Sequence, residues 1–443
     1  MSVKHSLACA AARTIPAILV CFGGYAQAEG AFSNDSPWMM GDWGGLRSEL
    51  LEKGYKFDIT YVGEAASNVA GGYDSHTTGR YADQLAFGVN VDLEKVLGWS
   101  DAELQFSVSE RNGQNITNER IGDPRVGAFT SVQEVYGRGQ TWRLSQLWYQ
   151  QRFWDDRLNI KLGLVGVGED FGTWGCRFQN VSFCGAPAGN WAGDTIYNYP
   201  VSQWGARVKF GLADDTYFQV GVYEQNPSYL ETGNGFKMSG SGNKGSLVPV
   251  EVVHSLTLGE QKLPGEYRVG GYYSNRSWDD VYELENGQPK ERNRKYGTWL
   301  LGKQQVYKDS SFSARGLTLF ASATFHDKET SAIERSVQAG LIYTAPFDSR
   351  PYDEINFGVA NIHANKRLRN TADRANALNG AVDYNDPNFT PLQNAETNFE
   401  INYGFAVTRW LVVRPNLQVV VDPGGVDEVD TAWVAGLKFE VTL

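Results

Sequence analysis

The chain has 443 residues, with 40 Lys and Arg against 51 Asp and Glu, for a net charge of −11. That length admits one large domain or two to three ordinary ones. The acidic balance argues against nucleic acid as a partner, because tracking phosphates needs a basic stripe, and it favours solubility in outward-facing loops.

The N-terminus reads as a targeting segment. Lys4 and Arg13 supply a positive start, an apolar run follows from Ile15 to Phe22 with Pro16 inside it, and Ala26-Gln27-Ala28 forms an A-x-A cleavage signal. That order predicts a secretory signal peptide over 1–28, cleaved after Ala28. The run is too short for a transmembrane anchor, and Val20 is too bulky for the position before a lipidated Cys21. Cleavage removes Lys4, Arg13 and no acidic residue, so −11 becomes −13. It also removes Cys9 and Cys21. The two remaining cysteines, Cys176 and Cys184, read as one local disulfide in an exported protein. A metal site would want more ligands, and His76, His254, His326 and His363 are far apart in sequence.

Segment 29–54 comes next. Gly41 to Gly45 can fold tightly, and Leu46 to Lys53 carries Leu46, Leu50 and Leu51 on one side. This predicts a small helix or plug at a periplasmic mouth.

From residue 55 onward, apolar and polar residues alternate. Phe57, Ile59 and Tyr61 alternate with Asp58 and Thr60. Leu85, Phe87, Val89 and Val91 alternate with Ala86, Gly88 and Asn90. Leu158, Ile160 and Leu162 alternate with Asn159 and Lys161. Ala206, Val208 and Phe210 alternate with Arg207 and Lys209, and Phe399, Ile401 and Tyr403 with Glu400 and Asn402. A membrane strand shows apolar side chains to lipid and polar ones to the lumen with this period. Many polar partners are Gly, Ser, Asn, Gln and Ala, as a wet lumen with little room requires. Short turns at 213–215, 309–313 and 408–409 contrast with long segments at 112–140, 166–200, 225–248, 274–295 and 363–397. The fold predicted over 55–443 is therefore all-β: a transmembrane antiparallel β-barrel of about sixteen strands, with short periplasmic turns and long extracellular loops.

Tyr55, Trp99, Trp142, Trp154, Trp299 and Trp410 sit near strand ends, where membrane-interface girdles place aromatics. The last segment sets Trp433, Ala435, Leu437, Phe439, Val441 and Leu443 on one face. Such a strand can close the barrel against the first, since an open edge in lipid is too costly. It is also the segment that barrel-assembly machinery would read, although outer-membrane proteins commonly finish on an aromatic residue and Leu443 is not one.

No catalytic or cofactor-binding constellation emerges. There is no G-x-S-x-G. Gly297-Thr298-Trp299-Leu300-Leu301-Gly302-Lys303 approaches a phosphate loop, but Gln304 replaces the required Ser or Thr and the interior is bulky and apolar. The Glu169–Asp170 pair reads as loop or lumen lining.

Gly41-Asp42-Trp43-Gly44-Gly45-Leu46-Arg47, with Leu50 and Gly54, resembles the opening signature of the carbohydrate-selective porin family of the porin B type. Asn68, Gly71 and Gly72 match its continuation. Cys176-Arg177-Phe178-Gln179-Asn180-Val181-Ser182-Phe183-Cys184-Gly185 resembles its cysteine-bracketed loop. Pro415, Asp422-Pro423-Gly424-Gly425 and the strand near Trp433 resemble its end. The resemblance spans about residue 38 onward and implies a sixteen-stranded channel favouring glucose and similar sugars in the outer membrane of a Gram-negative bacterium, among lipid and lipopolysaccharide. Whether the channel acts singly or as a homo-oligomer is left open.

Strand parity turns Arg111, Arg152, Lys161, Arg207, Lys209, Arg268 and Arg414 into the lumen. Glu169 and Asp170 precede the cysteine loop, and Trp174 and Trp191 flank it. The expected arrangement sets basic side chains opposite loop carboxylates at the narrowest point. Sugar hydroxyls would bridge them, and Trp174 would offer a stacking face. The alternatives are a general or anion-selective porin, a blocked barrel that anchors surface polysaccharide, and an outer-membrane hydrolase, which lacks its constellation.

Overall fold

In the computed structural model, residues 30–443 are described apart from 188, 190, 191 and 193. The expected signal peptide, its cleavage site and Trp191 lie outside the described residues.

After α1 (Leu46–Glu52) the chain forms β1 (Tyr55–Gly72), β2 (Thr78–Asp92), the short helix α2 (Leu93–Leu97), β3 (Ala102–Gly113), β4 (Trp142–Phe153), β5 (Leu158–Val165), β6 (Gln203–Ala213), β7 (Thr216–Glu224), β8 (Ser246–Leu258) and β9 (Leu263–Ser274). A hairpin of β10 (Trp278–Glu285) and β11 (Gln288–Arg292) interrupts the series. Then come β12 (Lys295–Lys308), β13 (Gly316–His326), β14 (Ile333–Thr344), β15 (Glu354–Ala364), β16 (Ala395–Ala406), β17 (Leu411–Val421) and β18 (Asp430–Thr442). Outside the hairpin, every strand pairs antiparallel with its neighbours, and β18 closes the ring on β1 with Tyr61 opposite Val441 and Ala65 opposite Leu437. Sixteen strands thus make a closed barrel.

The alternation has the physical result that lipid requires. Leu162, Val208, Val252, Val269, Leu300, Ile401 and Leu437 are exposed on the outside, while Asn159, Arg207, Glu251, Glu400, Asn402 and Lys438 are buried on the inside. Trp99, Trp142 and Trp154 are exposed, as girdle residues should be. Trp299 is not one of them. It points inward, is 1% exposed, and donates its Nε1–H to Glu251 at 2.8 Å. Its outward neighbour is Leu300, and a Trp–Leu pair gives parity nothing to distinguish.

Helix α1 spans Leu46–Glu52. Its buried residue is Arg47, whereas Leu46 and Leu51 are exposed. The guanidinium donates to the carbonyls of Leu443 and Phe57. The segment therefore caps the β1–β18 seam, and its leucines do not pack as an apolar face.

The longest connections share one side. Turns such as 154–157, 214–215 and 259–262 lie on one side, and on the other lie loops L1 (73–77), L2 (114–141), L3 (166–202), L4 (225–245), L5 (275–294), L6 (327–332), L7 (365–394) and L8 (422–429). L3 folds into the lumen and takes part in two apolar clusters there. Val167, Phe171 and Ile196 pack on Tyr223, Leu247, Tyr272 and Trp299 of the wall. Phe178 and Phe183 pack on Phe320, Ile333 and Ile362. Outside the membrane, α3 (Lys366–Asn379) of L7 lies against the β10–β11 hairpin of L5. Asp280 of the hairpin accepts from Arg292 and from Arg367 of α3.

Candidate functional site

L2 and L3 meet inside the barrel. A cavity of about 290 Å³ lies there, lined by Arg111 of β3, by Glu134, Tyr136 and Arg138 of L2, and by Glu169, Trp174 and Tyr199 of L3. Each loop reaches it for a local reason. In L2 the chain turns at Gly137 and Gly139, whose φ values of 117° and 97° suit glycine. A Cβ at Gly139 would come within 2.9 Å of the Thr232 hydroxyl in L4. In L3 a short helical turn over Val167–Glu169 directs Glu169 inward, and its carboxylate accepts the Gly166 N–H at 3.2 Å.

The charged groups are unevenly satisfied. Arg111 is 5% exposed, and Nε donates to Gln84 at 2.8 Å. Among the described residues that is its only side-chain hydrogen bond. Glu134 is held at 3.0 Å by Lys438, which also pairs with Glu64 at 3.2 Å. Arg138 reaches Asp194 at 3.4 Å. Burial pushes the Glu169 carboxyl up to about 7, reinforced by Asp170 and opposed by Lys161. Trp174 donates to the Phe183 carbonyl at 3.3 Å and meets Phe320 edge-on at 5.2 Å. It stays half-buried against the cavity. Cys176 and Cys184 are disulfide-bonded, with Cα atoms 5.0 Å apart, so the segment after Trp174 is a closed loop.

Of the residues chosen from sequence, Arg111, Glu169 and Trp174 come together on this cavity. Four others form a network along the wall beside it. Asp170 pairs with Lys161 at 3.0 Å and with Arg207 at 3.3 Å, and Lys161 lies over the Trp148 ring. Arg268 pairs with Glu251 at 3.1 Å and also reaches the Asp170 carbonyl. The last three do not line the cavity. Arg152 pairs with Glu103 and Lys209 with Asp156 beside the turn at 154–157. Arg414 pairs with Glu354 and Glu440 on β15 and β18. Lys161 and Arg207 thus meet a carboxylate of L3, whereas Arg152, Lys209, Arg268 and Arg414 have carboxylate partners on the strands and turns around them, and a buried charge is retained only with such a partner within reach. Sequence reasoning missed Glu134, Tyr136, Arg138 and Tyr199. The cluster Glu134-Val135-Tyr136-Gly137-Arg138-Gly139 was a visible signal, charged and aromatic between glycines, but no periodicity orients an irregular loop.

Comparison with known proteins agrees with this architecture. Residues 76–443 match the family described as "Carbohydrate-selective porin, OprB family". The chain is 54% identical over 442 residues to "Porin B" of Pseudomonas aeruginosa, covering 97% of each chain. It is 39% identical to "Putative porin QuiX" of Acinetobacter baylyi, covering 93% of this chain and 94% of that one. The high-pH structure of Pseudomonas putida OprB superposes with a TM-score of 0.91 at 52% identity, covering 94% of this chain and all of that one. A closed sixteen-stranded barrel with a polar lumen and these likenesses place the chain in the carbohydrate-selective porin, OprB family, as a sugar channel of the Gram-negative outer membrane.

Proposed function

We propose that the cavity between L2 and L3 is where sugars are selected during passive diffusion, and that it passes one glucose-like ring at a time. The observation that carries this is the convergence of Arg111, Glu169 and Trp174 on one small polar space. Its 290 Å³ lies at the low end of the range for small-molecule sites, about 300–1,000 Å³, which suits a single ring. Arg111 offers planar donors and Glu169 an acceptor, so a neutral hydroxyl-rich ring can bridge them without bringing a charge. Trp174, Tyr136 and Tyr199 offer aromatic surface to the ring's C–H face. Binding stays weak because Glu134 and Arg138 already have protein partners, and weak binding permits release. Beyond the cavity, Lys161, Asp170, Arg207 and Arg268, then Arg152 and Lys209, give a solute further polar contacts towards the short-turn side, with Arg414 on the far wall.

The same reading includes export by a signal peptide cleaved after Ala28, recognition of β18 by the barrel-assembly machinery, and lipid and lipopolysaccharide around the outer belt. The test is single-channel conductance of the refolded protein in a planar bilayer with glucose titrated in. Progressive block supports the proposal. An open channel indifferent to glucose replaces it with a general or anion-selective pore, and absence of conductance from folded protein replaces it with a blocked barrel.

A further inference from the structure

Every buried main-chain N–H needs an acceptor, and an irregular loop inside a pore supplies only some of its own. L3 finds acceptors on two separate walls. At one end, the Gly172 N–H donates to Glu251 of β8 at 2.9 Å. At the other, the N–H groups of Gln179 and Asn180 donate to Glu400 of β16 at 3.0 and 2.7 Å. β8 and β16 stand six steps apart in the ring, so the segment between them crosses the lumen as a chord. Both carboxylates are buried, at 1% and 0% exposure. Glu251 is further held by Trp299, Gln219 and Arg268. Glu400 receives Asn402 besides the loop, and among the described residues no cation pairs with it. An anion buried among neutral donors is retained only where those donors are aimed at it. The pattern recurs for other loops: Glu396 accepts the N–H groups of Phe129 in L2 and Gly424 in L8, and Glu64 accepts that of Val135 in L2.

We infer that Glu251 and Glu400 are positioning residues that fix the span of L3 across the lumen and thereby set the largest solute the channel admits. This rests on L3 forming the constriction. Neither carboxylate lines the cavity, so each acts on solutes through the loop. An isosteric Gln carries no charge and one acceptor oxygen in place of two, so the loop amides lose charge-assisted bonds and that end of the chord is loosened.

The test uses the full protein refolded in detergent and in liposomes. In the unaltered chain, the amide hydrogens of Gly172, Gln179 and Asn180 exchange slowly. In Glu400→Gln, Gln179 and Asn180 lose about tenfold or more in protection while Gly172 keeps its own, and Glu251→Gln gives the converse. In liposome swelling, both variants admit maltose severalfold faster relative to glucose, while the band remains heat-modifiable on gels. Exposed-loop exchange rates at all three amides in the unaltered protein would overturn the inference without any variant. So would folded variants whose exclusion of maltose is unchanged. Arg111→Ala tests the cavity separately: glucose block unaltered there, with maltose admitted by Glu400→Gln, would defeat the cavity reading and leave the positioning role standing.

Discussion

Arg47 and Leu443 are 396 positions apart, yet the guanidinium of one donates to the carbonyl of the other at 2.7 Å. A second branch of the same fork reaches the Phe57 carbonyl at 3.0 Å, and the rings of Trp38 and Trp43 lie against it. The first and last barrel strands, whose pairing closes the ring, are thus bridged by one side chain. Arg47→Ala should lower unfolding stability in detergent by about 3 kcal/mol, the worth of two charge-assisted bonds left unmade. Arg47→Lys should recover less than half, because a point charge cannot serve both carbonyls. Urea titration followed by loss of heat-modifiability measures both.

Arg111 leads to a prediction about solutes. Arg111→Ala removes the least engaged donor on the cavity, and glucose should then block conductance about tenfold more weakly, the equivalent of one charged hydrogen bond. Trp174→Ala should weaken block as well, while ion conductance rises. Glucose titration of single channels reads both effects, and block that survives intact in both variants would count against the cavity.

Protonation of Glu169 should be visible in ion selectivity. Its carboxyl is raised by burial to about 7 from an ordinary 4.5. As pH falls through about 7, the cavity loses one negative charge while Arg111 and Arg138 stay positive. The ratio of potassium to chloride permeability should therefore fall on acidification, and Glu169→Gln should flatten that response. The stability sign is opposite to that of a salt-bridged acid: a raised folded value gives a contribution present below the ordinary value and lost as pH rises through the raised one. Reversal potentials across a salt gradient, taken on both sides of neutrality, check the first claim.

Reducing the Cys176–Cys184 bond frees a short loop whose closure is worth about 2–3 kcal/mol. The strands do not depend on it, so reduced protein should keep its β-rich spectrum and heat-modifiable band. What should change is the open channel: current noise rises and glucose block weakens. An unchanged current trace after verified reduction would show that wall contacts alone hold L3.

The barrel was legible in the sequence because period two is a local property, and each strand carries it alone. The group Asn68, Gly71 and Gly72 was legible as a pattern and acquires its reason from the structure. Asn68 donates to the Gly71 carbonyl at 2.9 Å, and a Cβ on Gly71, whose φ is 70°, would lie 1.9 Å from the Thr431 carbonyl oxygen. Trp299 was misplaced because an apolar side chain in a porin strand faces lipid unless a loop covers it, and strand parity does not reveal the cover. The site was harder still. Gly172 meets Glu251 across 79 positions and Gln179 meets Glu400 across 221, and nothing in either segment names its partner. Arg111, Glu169 and Trp174 were picked out by chemistry, but their convergence was not, nor was the dispersal of Arg152, Lys209 and Arg414.

The clasp between L5 and L7 has a consequence for the cell surface. Trypsin needs a mobile chain with a free basic side chain, and exposed loop tips usually supply both. Here Arg292 and Arg367 are committed to Asp280, Lys290 to Glu283, and Arg374 to the Tyr282 carbonyl. Asp280 is held well below the usual carboxylate range: burial would raise it, but the Glu283 and Tyr282 N–H groups and Arg367 and Arg292 outweigh that. Acid therefore does not loosen the clasp. Digestion of intact cells should spare the bonds after Lys290, Arg292, Arg367 and Arg374, so the clasp also shields this part of both loops from proteases.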